Sequence, residues 1–182
     1  MDELYAPWRM EWVQRGNPDA EFDDCVFCAL PQQNDDATHR IFARSKHAYA
    51  VLNNAPYCPG HTLVVPCEHF GTYADLDEET LVDLSKLQQK TTEAVRLSLS
   101  PDGMNVGMNL GKAGGASVVD HLHVHVVPRW EADTTFMPVI SDAKVLPEAL
   151  NDTYNRLHES IAALDGVSDN GNGNAVTVVS ND

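Results

Sequence analysis

Three histidines spaced two residues apart are the most chemically distinctive feature of the sequence. Residues 119–130 read V-D-H-L-H-V-H-V-V-P-R-W, so that apolar residues separate His121, His123 and His125. Side chains of a β-strand point to opposite faces with a period of two, so this alternation predicts a strand whose apolar residues face a core while the imidazoles share the other face. The Cα atoms of neighbouring histidines on that face lie roughly 6–7 Å apart, a spacing that suits one ligand or ion shared by the rings.

A glycine-rich loop, G-K-A-G-G-A-S at 111–117, leads into the histidine segment. Glycines let backbone N–H groups approach anionic oxygens, which is how many phosphate sites are built. Histidine beside phosphate allows two chemistries. A neutral imidazole can attack phosphorus and form a covalent phosphoramidate, or histidines can bind a catalytic metal ion that activates water. The residue types alone leave both chemistries open.

A C-x-x-C pair, Cys25 and Cys28, forms a second candidate site. Together with His69, in P-C-E-H, and a further histidine from elsewhere, the pair indicates a tetrahedral zinc site. By itself the pair is equally compatible with a redox motif or with two small core residues. Cys58 and Cys67 are interpreted as ordinary small buried residues.

The remaining pattern predicts an α+β fold, in which a long helix packs on a central antiparallel sheet of about five strands. Asp77 is placed to cap that helix, which is predicted from Glu78 to about Ser98. A further helical segment is predicted over 146–161. The predicted strands cover 40–44, 48–52, 62–66, 105–110 and 121–127.

The charge balance is strongly acidic, with 27 acidic against 12 basic residues and a formal net charge of −15. This argues against nucleic acid as a main partner, because phosphate backbones are bound by basic patches. It also fits a protein kept soluble at high salt, so we expect a halophilic host. There is no secretory signal and no apolar run of membrane-spanning length, which predicts a cytoplasmic protein with reduced cysteines and no membrane partner.

Three segments are expected from the 182 residues. Residues 1–22 form an N-terminal extension with Trp8 and Trp12, and residues 23–164 form the main domain. Residues 165–182 contain no Lys or Arg and are rich in Gly and Asn, which predicts a disordered acidic tail.

The histidine segment resembles the signature H-φ-H-φ-H-φ-φ of the histidine triad (HIT) family, in which φ is apolar. The resemblance continues in order over roughly residues 20–160. P-W-R-M near the start, P-R-W after the triad and T-T-F-M at 134–137 are most similar to the branch of diadenosine polyphosphate hydrolases and phosphorylases. The other matching motifs are C-V-F-C (25–28), N-N-A-P-Y-C-P-G-H (53–61), L-V-V-P-C-E-H (63–69) and N-L-G-K-A-G-G-A-S (109–117).

The resemblance implies a HIT-like fold and an enzyme that acts on a dinucleoside polyphosphate such as diadenosine tetraphosphate. His123 would attack the α-phosphate to give a nucleotidyl-histidine intermediate, which water or orthophosphate then releases. His125 would hydrogen-bond the α-phosphate, and His61 would support the triad. The implied nucleotide-binding residues are Asn53, Asn109, Gly115, Ala116 and Ser117.

A structural zinc ion and a homodimer are also implied by the resemblance. In zinc-bearing relatives the C-x-x-C pair, the histidine of P-x-x-H and the first triad histidine are the ligands. Those positions are Cys25, Cys28, His69 and His121. Such a site is closed and leaves no coordination position for water.

Several alternatives stay open at the sequence level. The segment G-A-S-V-V-D-H carries one extra residue and lacks the glutamine of the family's G-Q-[ST]-V-x-H form, so the leaving group is undetermined. A nucleoside phosphoramidase, a non-catalytic nucleotide-binding regulatory module and a metal hydrolase with three histidine ligands are the alternatives. Arg129 is interpreted equally as a counter-charge for phosphate or as half of a surface ion pair.

Overall fold

The fold is α+β, as predicted. The computed structural model describes residues 25–131, 133, 149–169, 171 and 173–179. The predicted extension at 1–22 and the T-T-F-M motif lie outside the described residues. Within the part of the chain that is described, no helix is long and apolar enough to span a membrane.

One mixed sheet of seven strands runs through the molecule, in the order β4-β5-β3-β2-β1-β7-β6. Neighbouring strands pair antiparallel, except that β1 and β7 pair parallel. The expectation of about five strands holds for β1–β5, and the C-terminal segment adds the other two. The strands are β1 Ile41–Arg44, β2 Ala48–Leu52, β3 Thr62–Pro66, β4 Gly103–Met108, β5 Val124–Arg129, β6 Val167–Ser168 and β7 Val176–Val178.

The long helix, Glu78–Leu99, begins and ends where its capping residues require. The Asp77 side chain accepts a hydrogen bond from the Thr80 amide at 2.8 Å, as predicted, and Ser100 adopts the left-handed conformation that ends the helix. The helices are α1 Val26–Ala29, α2 Asp36–His39, α3 Glu78–Leu99 and α4 Leu150–Ala162, with 3₁₀ turns at Leu30–Gln32, Tyr73–Asp75 and Lys112–Gly114.

Both faces of the sheet are buried near its centre, because side chains alternate along β2 and β3. Ala50 and Val64 belong to the core that α3 and α4 cover. Tyr49 and Val65 belong to a smaller core on the opposite face, where Phe27 of α1 packs. The histidine side chains share this second face, since His125 pairs across the sheet with Leu63 of the same core.

The prediction of a disordered tail is wrong for the tail residues that the structure describes. β7 pairs with the outer edge of β1, and Val176 and Val178 are buried. The Gly/Asn-rich composition pointed to disorder, but the A-V-T-V alternation supplies buried residues for a strand edge that would otherwise stay unpaired.

Asp36 fastens this C-terminal strand to the domain. Its carboxylate forms an ion pair with Arg44 of β1 at 2.5 Å and accepts a hydrogen bond from the Ala175 amide at 3.2 Å. Asp36 is 7% exposed, so the paired charges are largely removed from water. One buried acid therefore links α2, β1 and β7.

We expect Asp36→Ala to lower the free energy of unfolding by about 2–4 kcal/mol, because Arg44 and the Ala175 amide lose a shared acceptor. Urea denaturation measures the loss, and the Val176 amide should exchange hydrogen faster. The exposed Asp165→Ala is the matched control and should change stability by less than about 0.5 kcal/mol. Equal stability of the two variants would contradict the role given to Asp36.

Candidate active site

The three triad histidines are buried together at the start of β5. His121, His123 and His125 are 1%, 4% and 8% exposed. The strand begins at Val124, so the prediction of a strand from residue 121 is wrong for its first three residues. There the Leu122 amide donates to the Phe70 carbonyl at 2.6 Å, outside the sheet ladder. The in-out alternation still holds, since Leu122, Val124 and Val126 are buried on the opposite side.

His123 is held as a neutral ring with one nitrogen committed to the backbone. Its Nδ1–H donates to the His121 carbonyl at 2.9 Å, which leaves the lone pair on Nε2. Burial lowers the pKa of His123 below its ordinary value, and the backbone hydrogen bond opposes this only in part. The Phe27 ring packs against the imidazole with a centroid separation of 5.0 Å. An uncharged, oriented imidazole of this kind is suited to nucleophilic attack.

A short relay fixes the proton positions on His61 and His125. The Tyr57 backbone amide, which can only donate, lies 3.0 Å from His61 Nδ1, so that nitrogen is an acceptor. His61 Nε2 therefore carries the proton and donates a hydrogen bond to His125 Nδ1 at 2.8 Å. In turn, His125 must carry its own proton on Nε2. Asn53 also contacts this relay, with its Nδ2 3.2 Å from His61 Nδ1.

Two hydrogen-bond donors meet beside His125. Asn109 Nδ2 lies 3.5 Å from His125 Nε2, and the network assigns protons to both nitrogens. Two N–H groups at this separation can share one anionic oxygen. The His123 and His125 rings are 4.9 Å apart, which brings these donors close to the proposed nucleophile. The arrangement can hold a phosphoryl group while an imidazole attacks it.

The glycine loop is folded on itself in the structure. Gly115 has a φ of +90°, which favours glycine, and its carbonyl lies 3.5 Å from Asn109 Nδ2. The amides of Gly115 and Ala116 donate to the Lys112 and Gly111 carbonyls, so in this conformation they face the loop. Ser117 is exposed at the end of the loop. The prediction that residues 115–117 hold phosphate oxygens therefore requires those two amides to turn.

A cavity of about 450 Å³ opens beside His125 on its β4 side. Tyr57 stacks on His125 at one end, with ring centroids 5.7 Å apart and an interplanar angle of 15°. The polar residues that line the cavity are Tyr57, Cys58, Asn105, Asn109, His125, Arg129 and Asp133.

The four predicted metal ligands converge on one point. Ligand atoms of Cys25, Cys28, His69 and His121 all lie within 4.8 Å of one another. Cys25 Sγ and Cys28 Sγ are 3.3 and 3.4 Å from His121 Nδ1, and Cys28 Sγ is 3.3 Å from His69 Nδ1. Zinc–ligand bond lengths and tetrahedral angles give an S···N separation of about 3.5 Å, so the donor set fits a tetrahedral metal ion.

The first triad histidine is oriented for coordination by its other nitrogen. His121 Nε2–H donates to the Pro66 carbonyl at 3.0 Å, which leaves the Nδ1 lone pair facing the cysteines. Burial lowers the pKa of His121 to about 4, so the ring is neutral, as a metal ligand must be.

Three contributors to the site were not predicted from the sequence. They are the Phe27 ring, the Tyr57 amide and the Pro66 carbonyl. The last two act through the backbone, which no side-chain pattern reveals. Phe27 lies inside the C-x-x-C motif, and its apolar character was the one sequence feature that could have indicated a packing role beside the histidines.

A protein-family model for the HIT domain matches residues 34–132. The chain belongs to the HIT family. It is 38% identical over 158 residues to the AP-4-A phosphorylase of Mycobacterium tuberculosis, covering 84% of this chain and 80% of that protein.

Solved structures of the same fold agree with the family assignment. A zinc-bound histidine triad family protein from Mycobacterium smegmatis superposes with a TM-score of 0.63 at 30% identity, covering 78% of this chain and 96% of that one. A histidine triad nucleotide-binding protein from Sulfolobus tokodaii gives a TM-score of 0.64 at 29% identity, with coverages of 78% and 95%.

Because the Tyr57 amide and the His121 carbonyl fix the tautomers, His125 should carry its proton on Nε2 and His123 on Nδ1. Long-range ¹H–¹⁵N correlation spectra at neutral pH distinguish the two forms. In His61→Ala the His125 Nδ1 loses its donor, so His125 should become a mixture of tautomers while His123 keeps its form. An Nδ1–H tautomer of His125 in the wild type would contradict the relay.

Proposed function

We propose that this protein is a dinucleoside polyphosphate phosphorylase or hydrolase that acts through His123. The observation that carries the proposal is the neutral His123 ring, whose Nδ1–H is bound by the His121 carbonyl. The His123 and His125 rings are 4.9 Å apart, and the donor nitrogens of His125 and Asn109 lie 3.5 Å from each other. A nucleophile next to donors for a phosphoryl oxygen is what displacement at phosphorus needs.

In the first step His123 Nε2 attacks the α-phosphorus, and the bond from phosphorus to the bridging oxygen breaks. The leaving nucleotide departs with that bridging oxygen and the electron pair, while the nucleoside monophosphate becomes bonded to the ring. His125 Nε2–H and Asn109 Nδ2–H stabilise the negative charge on the phosphoryl oxygens. In the second step water or orthophosphate attacks the same phosphorus and His123 leaves as a neutral ring.

His61 acts in this scheme through His125. By donating to His125 Nδ1, it keeps the Nε2 proton directed at the phosphoryl group. Asn53 contacts His61 at its other nitrogen, Nδ1, in addition to the nucleotide contact predicted for it. We assign Gly115, Ala116 and Ser117 to a loop that closes on the phosphate once the substrate is bound.

Orthophosphate is the acceptor that we favour. The support is the similarity to the AP-4-A phosphorylase of Mycobacterium tuberculosis, which extends over most of both chains. Phosphorolysis of diadenosine tetraphosphate at an α-phosphate gives ADP and ATP, whereas hydrolysis gives AMP and ATP. The products therefore identify the acceptor.

We expect the wild-type protein to convert diadenosine tetraphosphate to ADP and ATP only when orthophosphate is present. His123→Ala should lose at least about 10³-fold in kcat, because the covalent path needs the imidazole. Chromatography of the nucleotides, at high and low salt, measures both results. His39→Ala, a histidine outside the site, is the control and should keep its activity.

Other product patterns separate the alternatives. Cleavage of adenosine 5′-phosphoramidate without turnover of the tetraphosphate indicates a phosphoramidase. Nucleotide binding without turnover of either compound indicates a regulatory module. Full activity in His123→Ala would remove the nucleophile assignment.

We further propose that the four-ligand cluster binds a structural zinc ion. Cys25, Cys28, His69 and His121 would hold it, and the zinc-bound relative from Mycobacterium smegmatis supports the choice of metal. When bound, the ion supplies a cross-link between the start of α1, the loop after β3 and the triad segment. A homodimer, a cytoplasmic location and a halophilic host stay predictions from the sequence.

Cys28→Ser should remove the bound zinc and lower the melting temperature by about 5–10 °C, because the cross-link is lost. Elemental analysis and thermal unfolding with and without a chelator measure the two effects. Cys58→Ser, outside the cluster, is the matched control and should keep the metal. A wild-type protein that contains no zinc, or whose melting temperature a chelator leaves unchanged, would contradict this site. Activity that disappears in chelator while the fold persists would favour the metal-hydrolase alternative.

A further inference from the structure

The end of the cavity that lies away from His125 is formed by Arg129 and its ion-pair partner Asp133. Residues of β5 that are two apart share a face, so Arg129 lies on the same face as His125 and Val127. Four residues of strand place their Cα atoms about 13 Å apart. His61 occupies the β3 side of His125, and the open space lies on the β4 side, toward Arg129.

The guanidinium of Arg129 leans back along the strand toward the histidines. In the sheet register Arg129 pairs with Gly103, while Asn105 pairs with Val127. Arg129 Nη1 nevertheless donates to Asn105 Oδ1 at 3.1 Å. Asn105 lies two residues nearer than Gly103 to the row of His125. The guanidinium therefore contacts a residue whose row lies two positions, roughly 6–7 Å of strand, from the row that contains His125.

Asp133 fixes this orientation. Its carboxylate accepts from Arg129 Nε at 2.5 Å and from Nη2 at 2.8 Å, and it also accepts from the Trp130 amide at 3.2 Å. The two bonds to Asp133 and the one to Asn105 use three of the five guanidinium N–H groups. Among the described residues the other two N–H groups have no protein acceptor, and the side chain is 47% exposed.

The floor between the two ends of the cavity is flat and uncharged. Gly107 pairs with His125, and a Cβ built on Gly107 would meet nothing within 4 Å. Val127 continues the floor toward Arg129. Arg129 is the one Lys or Arg among the described residues that line this cavity, in a chain whose net charge is −15. The Asp133 carboxylate lines the same cavity and offsets much of this charge, so an anionic ligand is favoured there by the two guanidinium N–H groups that have no acceptor among the described residues.

We propose that Arg129 binds the phosphates of the leaving nucleotide and so selects polyphosphate-linked substrates over mononucleotides. This inference rests on the proposed function. The α-phosphate lies at His125 and Asn109, and the rest of the phosphate chain crosses Gly107 to reach the two remaining guanidinium N–H groups. Asp133 positions the guanidinium and shields part of its charge, so the contribution of Arg129 to substrate binding is moderate.

Steady-state kinetics of Arg129→Gln test the proposal. Loss of a charge-assisted hydrogen bond should raise the KM for diadenosine tetraphosphate by about tenfold. The rise should exceed, by about the same factor, any rise in the inhibition constant of AMP, which lacks the distal phosphates. The loss should fall on KM rather than kcat, because distal contacts are made equally before and during the reaction.

Two further variants make the result specific to Arg129. Arg129→Lys keeps the charge without the planar fork and should recover part of the loss. If Arg129→Gln does not fold, the same kinetic comparison is made with Arg129→Lys. Arg156→Gln removes one positive charge from α4, away from the cavity, and should leave both constants unchanged.

Each failure has its own meaning. If the wild type turns over the tetraphosphate but Arg129→Gln changes the KM and the AMP inhibition constant in parallel, the role of Arg129 is overturned and the proposed function stands. The same holds if Arg156→Gln reproduces the effect. If the wild type does not turn over the tetraphosphate, both proposals fall.

Discussion

One backbone amide sets the proton order of the relay from His61 to His125. Because the Tyr57 N–H can only donate, His61 must accept on Nδ1, donate from Nε2 and leave His125 protonated on Nε2. The direction of the relay follows from a peptide group, which does not titrate. The turn before β3 therefore determines which nitrogen of His125 is the donor. Substitutions in that turn can alter the site without touching a side chain in it.

The metal cluster and the proposed nucleophile are linked through one residue. The His121 ring belongs to the Cys/His cluster, while its backbone carbonyl accepts the hydrogen bond that orients His123. A metal ion bound to His121 would thus also order His123, the proposed nucleophile. Through this connection an ion at the Cys/His cluster would affect catalysis by positioning. Phe27, between Cys25 and Cys28 in the chain, adds a packing contact to the His123 ring.

One face of the sheet carries the main hydrophobic core, and the opposite face carries the histidines of the candidate active site. The face that α3 and α4 cover carries the main core, and the histidine face carries a smaller core that includes Leu63, the register partner of His125. β7 closes the edge at β1, far along the sheet from β5. The site therefore lies near one edge of a sheet whose other edge is covered by its own C-terminal segment.

The sequence by itself determined the α+β class, the boundaries of α3 and the Cys and His side chains that meet at the two candidate sites. These follow from local rules, such as alternation about Leu122 and Val124 or capping by Asp77, and from the order of the motifs. Only the tertiary structure decided the tail strand, the late start of β5 and the directions of the hydrogen bonds. Each of these depends on a partner distant in the chain: the free edge of β1 for Val176, the Phe70 carbonyl for Leu122 and the His61 ring for His125. Local sequence specifies which groups a segment offers, but the fold determines which of them meet.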